Sequence, residues 1–464
     1  MCNVIINNSR YNTPKGTLLS DFLIDNGFKV AHICGGRGVC GKCSVTVNGE
    51  PVLSCRYVID TDITVELPSV DIASEIGVGE TDKLSQNMCY ALDLGTTTLA
   101  LALVSTDNNE IIRVATCTNP QVSFGADVIS RIDYCTKNSV AGLQKSVIEG
   151  INSLVGRLGN VRVDTMYVSG NTTMLHLLLG VDPSPMGVAP YTPVFLDSQA
   201  TDAGALGINC ADEIITLPCV SAFVGADLVA GLNICQKPPS GKYNILVDLG
   251  TNAEILLFSA EDLYCTSAAA GPCFEGANIF CGMGATSGAI YSFELRNNAP
   301  CFKTISDEKA KGICGTGLVD IISELLKNNI IDETGYMDCE VYNITDDISI
   351  NQQDIRQYQL AKSAVCSAMI TLMNMQNITF SDIDKLYISG GFSGGLNVQN
   401  AVATGLLPRE LKEKTVILNN SSLLGTVKYA IEGGKPSELV NGADYIDLAT
   451  NHEFSELFIN NLDF

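Results

Sequence analysis

The feature that most constrains this chain is a short pattern that occurs twice. An apolar run leads into Asp-Leu-Gly-Thr-Thr-Thr at residues 93–98 and leaves it on a second apolar run. Residues 245–254, Ile-Leu-Val-Asp-Leu-Gly-Thr-Asn-Ala-Glu, repeat the arrangement. Each copy predicts two strands joined by a tight turn at the glycine. Such a turn offers N–H groups and hydroxyls to an anion, and its aspartate can hold a hydrated divalent cation.

A second element follows each copy of this hairpin. It is an apolar strand that ends in Ser-Gly, at residues 169–170 and again at residues 389–390. The later strand continues as Ser-Gly-Gly-Phe-Ser-Gly-Gly over 389–395, where missing side chains let a flat base lie against the backbone. Because two different elements recur in the same order, the sequence predicts a duplicated domain.

Four cysteines near the N-terminus, at positions 34, 40, 43 and 55, have the spacing C-x5-C-x2-C-x11-C in a glycine-rich stretch. Glycines let the backbone curl around a cluster and direct N–H groups at its sulfurs. Zinc sites usually show two C-x2-C pairs, so the pattern favours a 2Fe–2S centre over zinc. The unit resembles plant-type ferredoxins, with a first gap one residue longer. That resemblance implies that the cluster ligands are Cys34, Cys40, Cys43 and Cys55.

Length and composition predict how the chain is divided. Its 464 residues suggest about three domains, on a prior of roughly 150 residues each. We predict a ferredoxin domain at 1–68, a polar, flexible linker at 69–88, and two halves of the duplication at 89–241 and 242–464. Twenty flexible residues would span about 25 Å.

Charge and cysteine usage exclude several classes of function. The net charge of −23 argues against nucleic acid and anionic membranes as partners. No apolar run approaches the roughly 18 residues of a membrane helix, and no signal peptide is evident, which predicts a cytoplasmic protein. The 18 cysteines are therefore expected to be thiols and cluster ligands, most of them small core residues, and not disulfides.

Other polar residues stand at predicted helix starts or in glycine-rich loops. Asp127 and Asp227 each occupy the start of a helix, a common place for aspartate, and a supporting role beside a metal is the alternative. Asn171 is a predicted helix cap and His176 a predicted core residue. Glu275 is the only carboxylate in the glycine-containing stretch 268–277.

The hairpins and the glycine turn, taken together, resemble the superfamily of actin, sugar kinases and heat-shock ATPases. The resemblance implies an α/β fold with two duplicated ribonuclease-H-like domains around an ATP cleft, beside the α+β ferredoxin domain. Asp93 and Asp248 would then lie about a Mg²⁺ ion and the attacking water. Glu254 and Glu275 both stay open as the acid that takes a proton from water. The implied phosphate-binding residues are Gly95, Thr96, Thr97, Thr98, Gly250, Thr251 and Asn252, and those for adenosine are Gly390 and Gly391.

A ferredoxin joined to such an ATPase, with the motifs at 119–132, 270–277 and 315–320, resembles the reductive activators of corrinoid proteins. The resemblance implies an enzyme that uses ATP to drive an electron from its 2Fe–2S cluster to a corrinoid protein, returning Co(II) to Co(I) for anaerobic methyl transfer. It further implies a low-potential electron donor, and a homodimer as one alternative for the oligomeric state. Longer family members carry a middle domain, and we expect only the linker in its place here.

Three other functions stay open. Activators of dehydratases or reductases also gate electron transfer with ATP, but the familiar ones hold a 4Fe–4S cluster between subunits and lack a ferredoxin. A small-molecule kinase would leave the ferredoxin idle. A non-catalytic electron carrier would not need acidic residues in both hairpins. The sequence identifies neither the methyl donor nor the corrinoid partner.

Overall fold

The structure is a computed structural model that describes residues 1–6, 9–26, 44–66, 87–391 and 393–464. The chain divides into two compact units. One comprises Met1–Leu217 with Ala430–Gly433, and the other comprises Pro218–Tyr429 with Gly434–Phe464. Residues 218–241, which the sequence placed in the first half of the duplication, therefore pack with the second unit.

The N-terminal part of the first unit is a small mixed sheet with one short helix. Its strands lie in the order β2-β1-β7-β4-β5, and β3 pairs with β6. Alternate residues of β1 and β7 enter a core that also holds Cys55. Of the predicted cluster ligands, Cys34, Cys40 and Cys43 lie outside the described residues, as does most of the predicted linker. The elements are β1 (Cys2–Ile6), β2 (Ser9–Thr13), β3 (Thr17–Leu18), α1 (Leu19–Asp25), β4 (Ser44–Val47), β5 (Glu50–Leu53), β6 (Val58–Ile59) and β7 (Ile63–Glu66).

A six-stranded sheet forms the rest of the first unit, in the order β10-β9-β8-β11-β13-β12. The first predicted hairpin is confirmed as β8 and β9, which pair antiparallel, and β11 lies parallel to β8. The elements are β8 (Met88–Leu94), β9 (Thr98–Ser105), β10 (Glu110–Thr118), α2 (Val128–Lys137), α3 (Ala141–Arg157), β11 (Val163–Gly170), α4 (Thr172–Leu178), β12 (Ala200–Asp202) and β13 (Ala211–Thr216).

The second unit is built around another six-stranded sheet, in the order β23-β22-β14-β15-β16-β24. The second predicted hairpin is confirmed as β14 and β15, and β22 lies parallel to β14. The elements are α5 (Ala226–Ile234), β14 (Tyr243–Leu249), β15 (Ala253–Phe258), β16 (Leu263–Ala268), β17 (Ala289–Arg296), β18 (Ala299–Thr304), β19 (Gly312–Ile313), α6 (Gly315–Lys327), β20 (Val341–Asn343), β21 (Ser349–Asn351), α7 (Gln352–Met375), β22 (Ile383–Ser389), α8 (Val398–Ala403), β23 (Thr415–Ile417), α9 (Ser421–Glu432), β24 (Ala443–Tyr445) and α10 (His452–Asn460).

Strand β14 shows why its sequence is a continuous apolar run. Successive side chains of a strand point to opposite faces, and here Val247 joins the large core that contains α6 and α7, whereas Leu246 joins a separate core beside α5. Both faces are therefore covered by helices, as expected for a sheet with a parallel pair at its centre. The predicted α/β fold class is confirmed.

The duplication extends to the register of the strands. Asp93 on β8 lies opposite Ser169 on β11, and Asp248 on β14 lies opposite Ser389 on β22. In each sheet, the strand that carries the aspartate lies between the second hairpin strand and the strand that ends in Ser-Gly. The two patterns that recur in the sequence are thus neighbours in space in both units.

Most of the cysteines that the structure describes are buried, as predicted, and have no disulfide partner. Burial raises the pKa of the Cys89 and Cys366 thiols to about 11 and that of Cys265 to about 12. These residues act as small core side chains. No helix within the described ranges is both long enough and apolar enough to span a membrane.

Candidate functional site

The turn of the first hairpin is held by its carbonyl groups. The Asn119 amide Nδ2 donates to the Gly95 carbonyl at 2.8 Å, and an Arg131 guanidinium nitrogen donates to the Thr96 carbonyl at 2.6 Å. The C=O and N–H of a trans peptide point in opposite directions. The N–H groups of Thr96 and Thr97 therefore point away from these partners, as an anion-binding turn requires.

Arg131 on α2 is fully buried and organises this turn. Besides Thr96, it donates to the Gly125 carbonyl at 2.8 Å and to Gln121 Oε1 at 3.1 Å. Burial lowers its pKa to about 9, and nearby Asp127 opposes that shift. Asp127 itself is the N-cap of α2 and accepts from the Ser130 backbone N–H, which confirms the prediction of a helix start.

The helix that follows Ser169-Gly170 also contacts the first turn. Asn171 caps α4, as predicted, by accepting from the Met174 N–H at 2.9 Å, and its amide donates to Thr96 Oγ1 at 2.8 Å. His176 is buried, as predicted, and its ring stacks on Phe195 with centroids 4.0 Å apart. Asn171 therefore links the turn of the first hairpin to the end of β11, the strand that precedes α4.

The second hairpin carries an aspartate in a polar chain. Ser389 Oγ donates to Asp248 at 2.8 Å, and the Ser389 and Ser421 hydroxyls form a hydrogen bond. Burial raises the pKa of Asp248, and the hydrogen bond from Ser389 opposes that shift. The Asp248 carboxylate is thus held in a fixed orientation at the end of β14.

Two further carboxylates approach Asp248. Glu254 lies directly opposite it on β15, and Asp227 approaches Glu254 from the first turn of α5. Burial raises the pKa of Glu254 well above its usual value, and the charges of Asp227 and Asp248 raise it further. These three carboxylates therefore concentrate negative charge near the end of β14.

The two hairpins differ at this position. Opposite Asp93, the residue on β9 is Ala100, whereas opposite Asp248 it is Glu254. The duplicated scaffold therefore carries a denser group of carboxylates in the second unit. Asp93 keeps its predicted position at the end of β8, beside the anchored turn at 95–97.

Glu275 lies at the turn of the second hairpin. Thr251 Oγ1 donates to its carboxylate at 2.7 Å, and the Gly271 N–H donates to the Thr251 carbonyl at 2.9 Å. The short 3-10 helix Pro272–Glu275 thus rests against residues 250–252. Glu275 itself is exposed, so it can reach a ligand at the turn.

A cavity of about 410 Å³ opens beside the predicted adenosine turn in the second unit. Gly391 lines it, and Gly390 stands behind it with a φ of 109°, where a Cβ would lie 2.2 Å from the Leu249 carbonyl oxygen. Two residues with positive φ, Ser306 and Asp307, form part of its rim. The other lining residues are Ala285, Tyr291, Thr304, Ile305, Cys314, Thr316, Gly394 and Gly395.

Cys55 is the one predicted cluster ligand within the described residues. It is buried in the core of the N-terminal sheet, next to Ser54, whose buried hydroxyl has no hydrogen-bond partner in the described part of the chain. Over the same part, His, Cys, Asp and Glu side chains form no group of three that could hold a metal ion. The other three predicted ligands fall outside it.

Comparison with known proteins identifies the family. Residues 242–464 match the model for the C-terminal domain of RACo, the ASKHA domain, and residues 88–237 match the RACo middle region. The chain belongs to the RACo family. The two matches meet near the predicted boundary at 241–242. They also correct one expectation: the middle region is present, and it coincides with the sheet of the first unit that begins at β8.

Curated relatives extend over nearly the whole chain. A protein of Eubacterium limosum named corrinoid activation enzyme RamQ is 26% identical, with 97% of this chain and 96% of that protein aligned. A Methanosarcina barkeri protein named [Co(II) methylated amine-specific corrinoid protein] reductase is 25% identical over 81% of this chain and 76% of its own length. A solved structure titled reductive activator for corrinoid,iron-sulfur protein has the same fold, with a TM-score of 0.71, 23% identity, and coverage of 100% of this chain and 98% of that one.

Sequence reasoning missed the residues that hold the turns. The sequence assigns no individual roles to Asn119, Gln121 and Arg131. For Asp227 it predicts a helix start, with a supporting role beside a metal as the alternative, and the structure adds that its charge raises the pKa of Glu254. The available signal was the position of Arg131 among the apolar residues of α2. Arginine is seldom fully buried without a partner, so a buried arginine indicates hydrogen bonds to nearby acceptors.

Proposed function

We propose that this protein is an ATP-dependent reductive activase that passes an electron from a 2Fe–2S cluster to a corrinoid protein, returning Co(II) to Co(I). The observation that carries the proposal is the activity named for two relatives that align with 97% and 81% of the chain. The ATPase-type fold and the two aspartate hairpins support it. A low-potential donor and a cytoplasmic location are further expectations, and a homodimer is one alternative for the assembly.

The residues of the second unit support ATP as the fuel. The negative charge of Asp248, Glu254 and Asp227 would attract the Mg²⁺ ion that accompanies ATP, and the cavity beside Gly391 has the volume of a small-molecule site. Residues 250–252 would contact phosphates, and Glu275 would stand at their edge through its bond to Thr251. Hydrolysis would be accelerated mainly by positioning and charge neutralisation.

The turn of the first hairpin, in the first unit, would by itself suit an anion such as a phosphate. The anchored carbonyls of Gly95 and Thr96 leave the N–H groups of Thr96 and Thr97 directed away from Asn119 and Arg131. Asp93, at the end of the preceding strand, would orient a hydrated cation or water. Because the turn is held by Arg131 and Asn119, its N–H groups need little reorganisation when an anion binds.

The N-terminal domain would hold the cluster through Cys34, Cys40, Cys43 and Cys55. The buried Ser54 hydroxyl, which lacks a partner among the described residues, fits the presence of an acceptor such as a cluster sulfide.

A 2Fe–2S centre of this type supplies a single electron at a reduction potential of roughly −400 mV. Each 59 mV by which the reduction potential of the cobalt lies below that of the cluster lowers the equilibrium constant of electron transfer about tenfold. ATP hydrolysis would offset this cost. ATP can do so only through states that bind nucleotide and partner differently.

The test uses the full, cluster-loaded chain under anaerobic conditions with a Co(II) corrinoid protein and a low-potential reductant. The visible spectrum is followed with and without Mg-ATP. We expect the Co(I) band to grow only with ATP and to be lost in Asp248→Asn and Cys40→Ser. Asp262→Asn is a matched control, because this carboxylate bonds only Tyr243 and its own turn in the same sheet.

Two results would contradict the proposal. One is Co(I) formation that does not depend on ATP. The other is no Co(I) with any corrinoid protein, together with ATP hydrolysis that another iron–sulfur enzyme stimulates. The second result would favour an activator of the dehydratase or reductase type.

A further inference from the structure

The orientation of Glu275 depends on its neighbour in sequence. Phe274 is buried, and a Cβ at Gly315, the first residue of α6, would lie 2.2 Å from the Phe274 carbonyl oxygen. The backbone before Glu275 is therefore pressed against the start of α6. The next residue, Glu275, accepts the hydrogen bond from Thr251 Oγ1 at 2.7 Å.

The ring of Phe274 rests on Tyr358 of α7. Their centroids are 5.9 Å apart and their planes meet at 84°, the edge-to-face arrangement that aromatic pairs prefer. Tyr358 is fully buried, and its hydroxyl shares a 2.6 Å hydrogen bond with Thr404 on the turn after α8. The hydrogen bond to Thr404 thus fixes the hydroxyl end of Tyr358, and the ring of Tyr358 makes the edge-to-face contact with Phe274.

The other side of Tyr358 is covered by the segment 461–464. The Phe464 ring stacks on Tyr358 with centroids 6.2 Å apart and an interplanar angle of 27°. The Lys362 ammonium lies 5.2 Å from the centre of the Phe464 ring and donates to the Asp463 carbonyl. Phe464 also donates its backbone N–H to the Glu333 carbonyl at 2.7 Å.

Polar side chains of α7 hold the rest of this segment along the helix. Gln359 Nε2 donates to the Leu462 carbonyl at 3.0 Å, and Asn461 Nδ2 donates to Ser367 Oγ at 3.0 Å. These hydrogen bonds are additional to the packing of the Phe464 ring. They fix the segment in one register, so the ring of Phe464 meets Tyr358 in one place.

We propose that Tyr358 and Phe464 are positioning residues for Glu275. The rings of Phe464, Tyr358 and Phe274 pack in succession, here called the aromatic stack, and hold the Glu275 carboxylate against Thr251 at the turn of the second hairpin. The inference rests on the proposed function, because it assigns the stack a role in ATP hydrolysis. Misplacement of a reacting group by about 1 Å can cost up to about a hundredfold in rate. A loosened stack should therefore lower kcat and leave the KM for ATP nearly unchanged.

The experiment is a double-mutant cycle in the full chain, with Phe464→Ala and Glu275→Gln. We expect Phe464→Ala to lower kcat of ATP hydrolysis by about tenfold, with KM changed by less than about twofold. In the Glu275→Gln background the same substitution should cost nothing further, because coupled residues are not additive. Tyr358→Phe, which keeps the ring, should retain kcat, whereas Tyr358→Leu should not.

Phe454→Ala is the matched control, because Phe454 lies on α10 and packs on the same core next to Phe458. It should lower thermal stability without lowering kcat. Equal losses of kcat in Phe464→Ala and Phe454→Ala, or a full further loss in the Glu275→Gln background, would overturn the inference.

A second readout does not need activity. Amide hydrogen exchange over residues 271–277 should become faster in Phe464→Ala and stay unchanged in Phe454→Ala. Unchanged exchange in both would contradict the inference, even if the wild type hydrolyses ATP. A wild type that hydrolyses no ATP would instead contradict the proposed function, and the exchange data would still decide whether the stack positions this loop.

Discussion

Ser389 Oγ donates a 2.8 Å hydrogen bond to Asp248, and the two residues are direct partners in adjacent parallel strands. The serine ends the strand that the sequence repeats, and the aspartate ends the strand of the repeated hairpin. A hydrogen bond to the charged form of a carboxyl group favours that form. Ser389 therefore opposes the effect of burial, which raises the pKa of Asp248.

Ser389→Ala should make ATP hydrolysis more sensitive to acid. Loss of the hydrogen bond raises the pKa of Asp248 further, so the ionised form is lost at a higher pH. A hydrogen bond to a charged group contributes about 1.5–3 kcal/mol, so the acid limb of the pH profile of kcat should move to higher pH by roughly one to two units. Ser421→Ala is the control, because Ser421 contacts the serine and not the carboxylate. An unchanged pH profile of kcat in Ser389→Ala would exclude this role.

Asp227→Asn should stabilise the protein at neutral pH when no divalent cation is present. Burial first, and then the charges of Asp227 and Asp248, raise the pKa of Glu254. A carboxyl group whose pKa is raised on folding costs stability as the pH rises from its unfolded pKa through its folded one. The substitution removes one repelling charge, so thermal unfolding should shift upward by about 2–4 °C for each kcal/mol relieved.

Two controls separate this effect from a general one. The difference between Asp227→Asn and wild type should vanish in acid, where the carboxyl groups are protonated in both. Mg²⁺ should raise the unfolding temperature of the wild type more than that of the variant. If Mg²⁺ stabilises both equally, the charge of Asp227 does not help to attract the cation.

Substitutions at the adjacent glycines 390 and 391 should have different effects, one on stability and the other on nucleotide binding. A Cβ at Gly391 meets nothing within 4 Å, so Gly391→Val should fold normally and place its methyl groups at the cavity that Gly391 lines. We expect the Kd for a non-hydrolysable ATP analogue to rise about tenfold, which corresponds to 1.4 kcal/mol. In Gly390→Ala the new Cβ would clash with Leu249, so unfolding temperature should fall instead. Unimpaired binding by a folded Gly391→Val would place the nucleotide elsewhere.

Cys55 and Cys2 form a matched pair for the cluster assignment. Both thiols are buried in the same N-terminal core, but only Cys55 belongs to the four-cysteine pattern. Cys55→Ser should remove or alter the visible spectrum of a reconstituted 2Fe–2S centre, whereas Cys2→Ser should keep it. Loss of the spectrum in both variants would show that the core of this domain, and not ligation, is what the substitutions disturb.

The sequence predicted the elements whose signals are local. The hairpins around Asp93 and Asp248, and the Ser-Gly strands beside them, followed from apolar runs interrupted by glycine, and the structure confirms both pairs. The cap at Asn171 was predicted for the same reason, because the capping hydrogen bond lies within four residues.

What the sequence did not predict depends on residues far apart in the chain. Arg131 reaches the Thr96 carbonyl across 35 positions, and no local pattern marks that contact. Phe274, Tyr358 and Phe464 come from three separate stretches and meet only because α7 crosses the core between them. The middle region differs for another reason: the sequence assigns residues 89–241 to the ATPase duplication, whereas the family model describes residues 88–237 as the middle region.

The burial of so many thiols has a consequence for labelling chemistry. Only the thiolate is a strong nucleophile, and a thiol whose pKa is raised to about 11 or 12, such as those of Cys89 and Cys265, is almost entirely protonated near neutral pH. Cys339 is the exposed cysteine among those that the structure describes. Among the cysteines that the structure describes, a maleimide fluorophore or spin label should therefore react first at Cys339 and leave the buried thiols unlabelled.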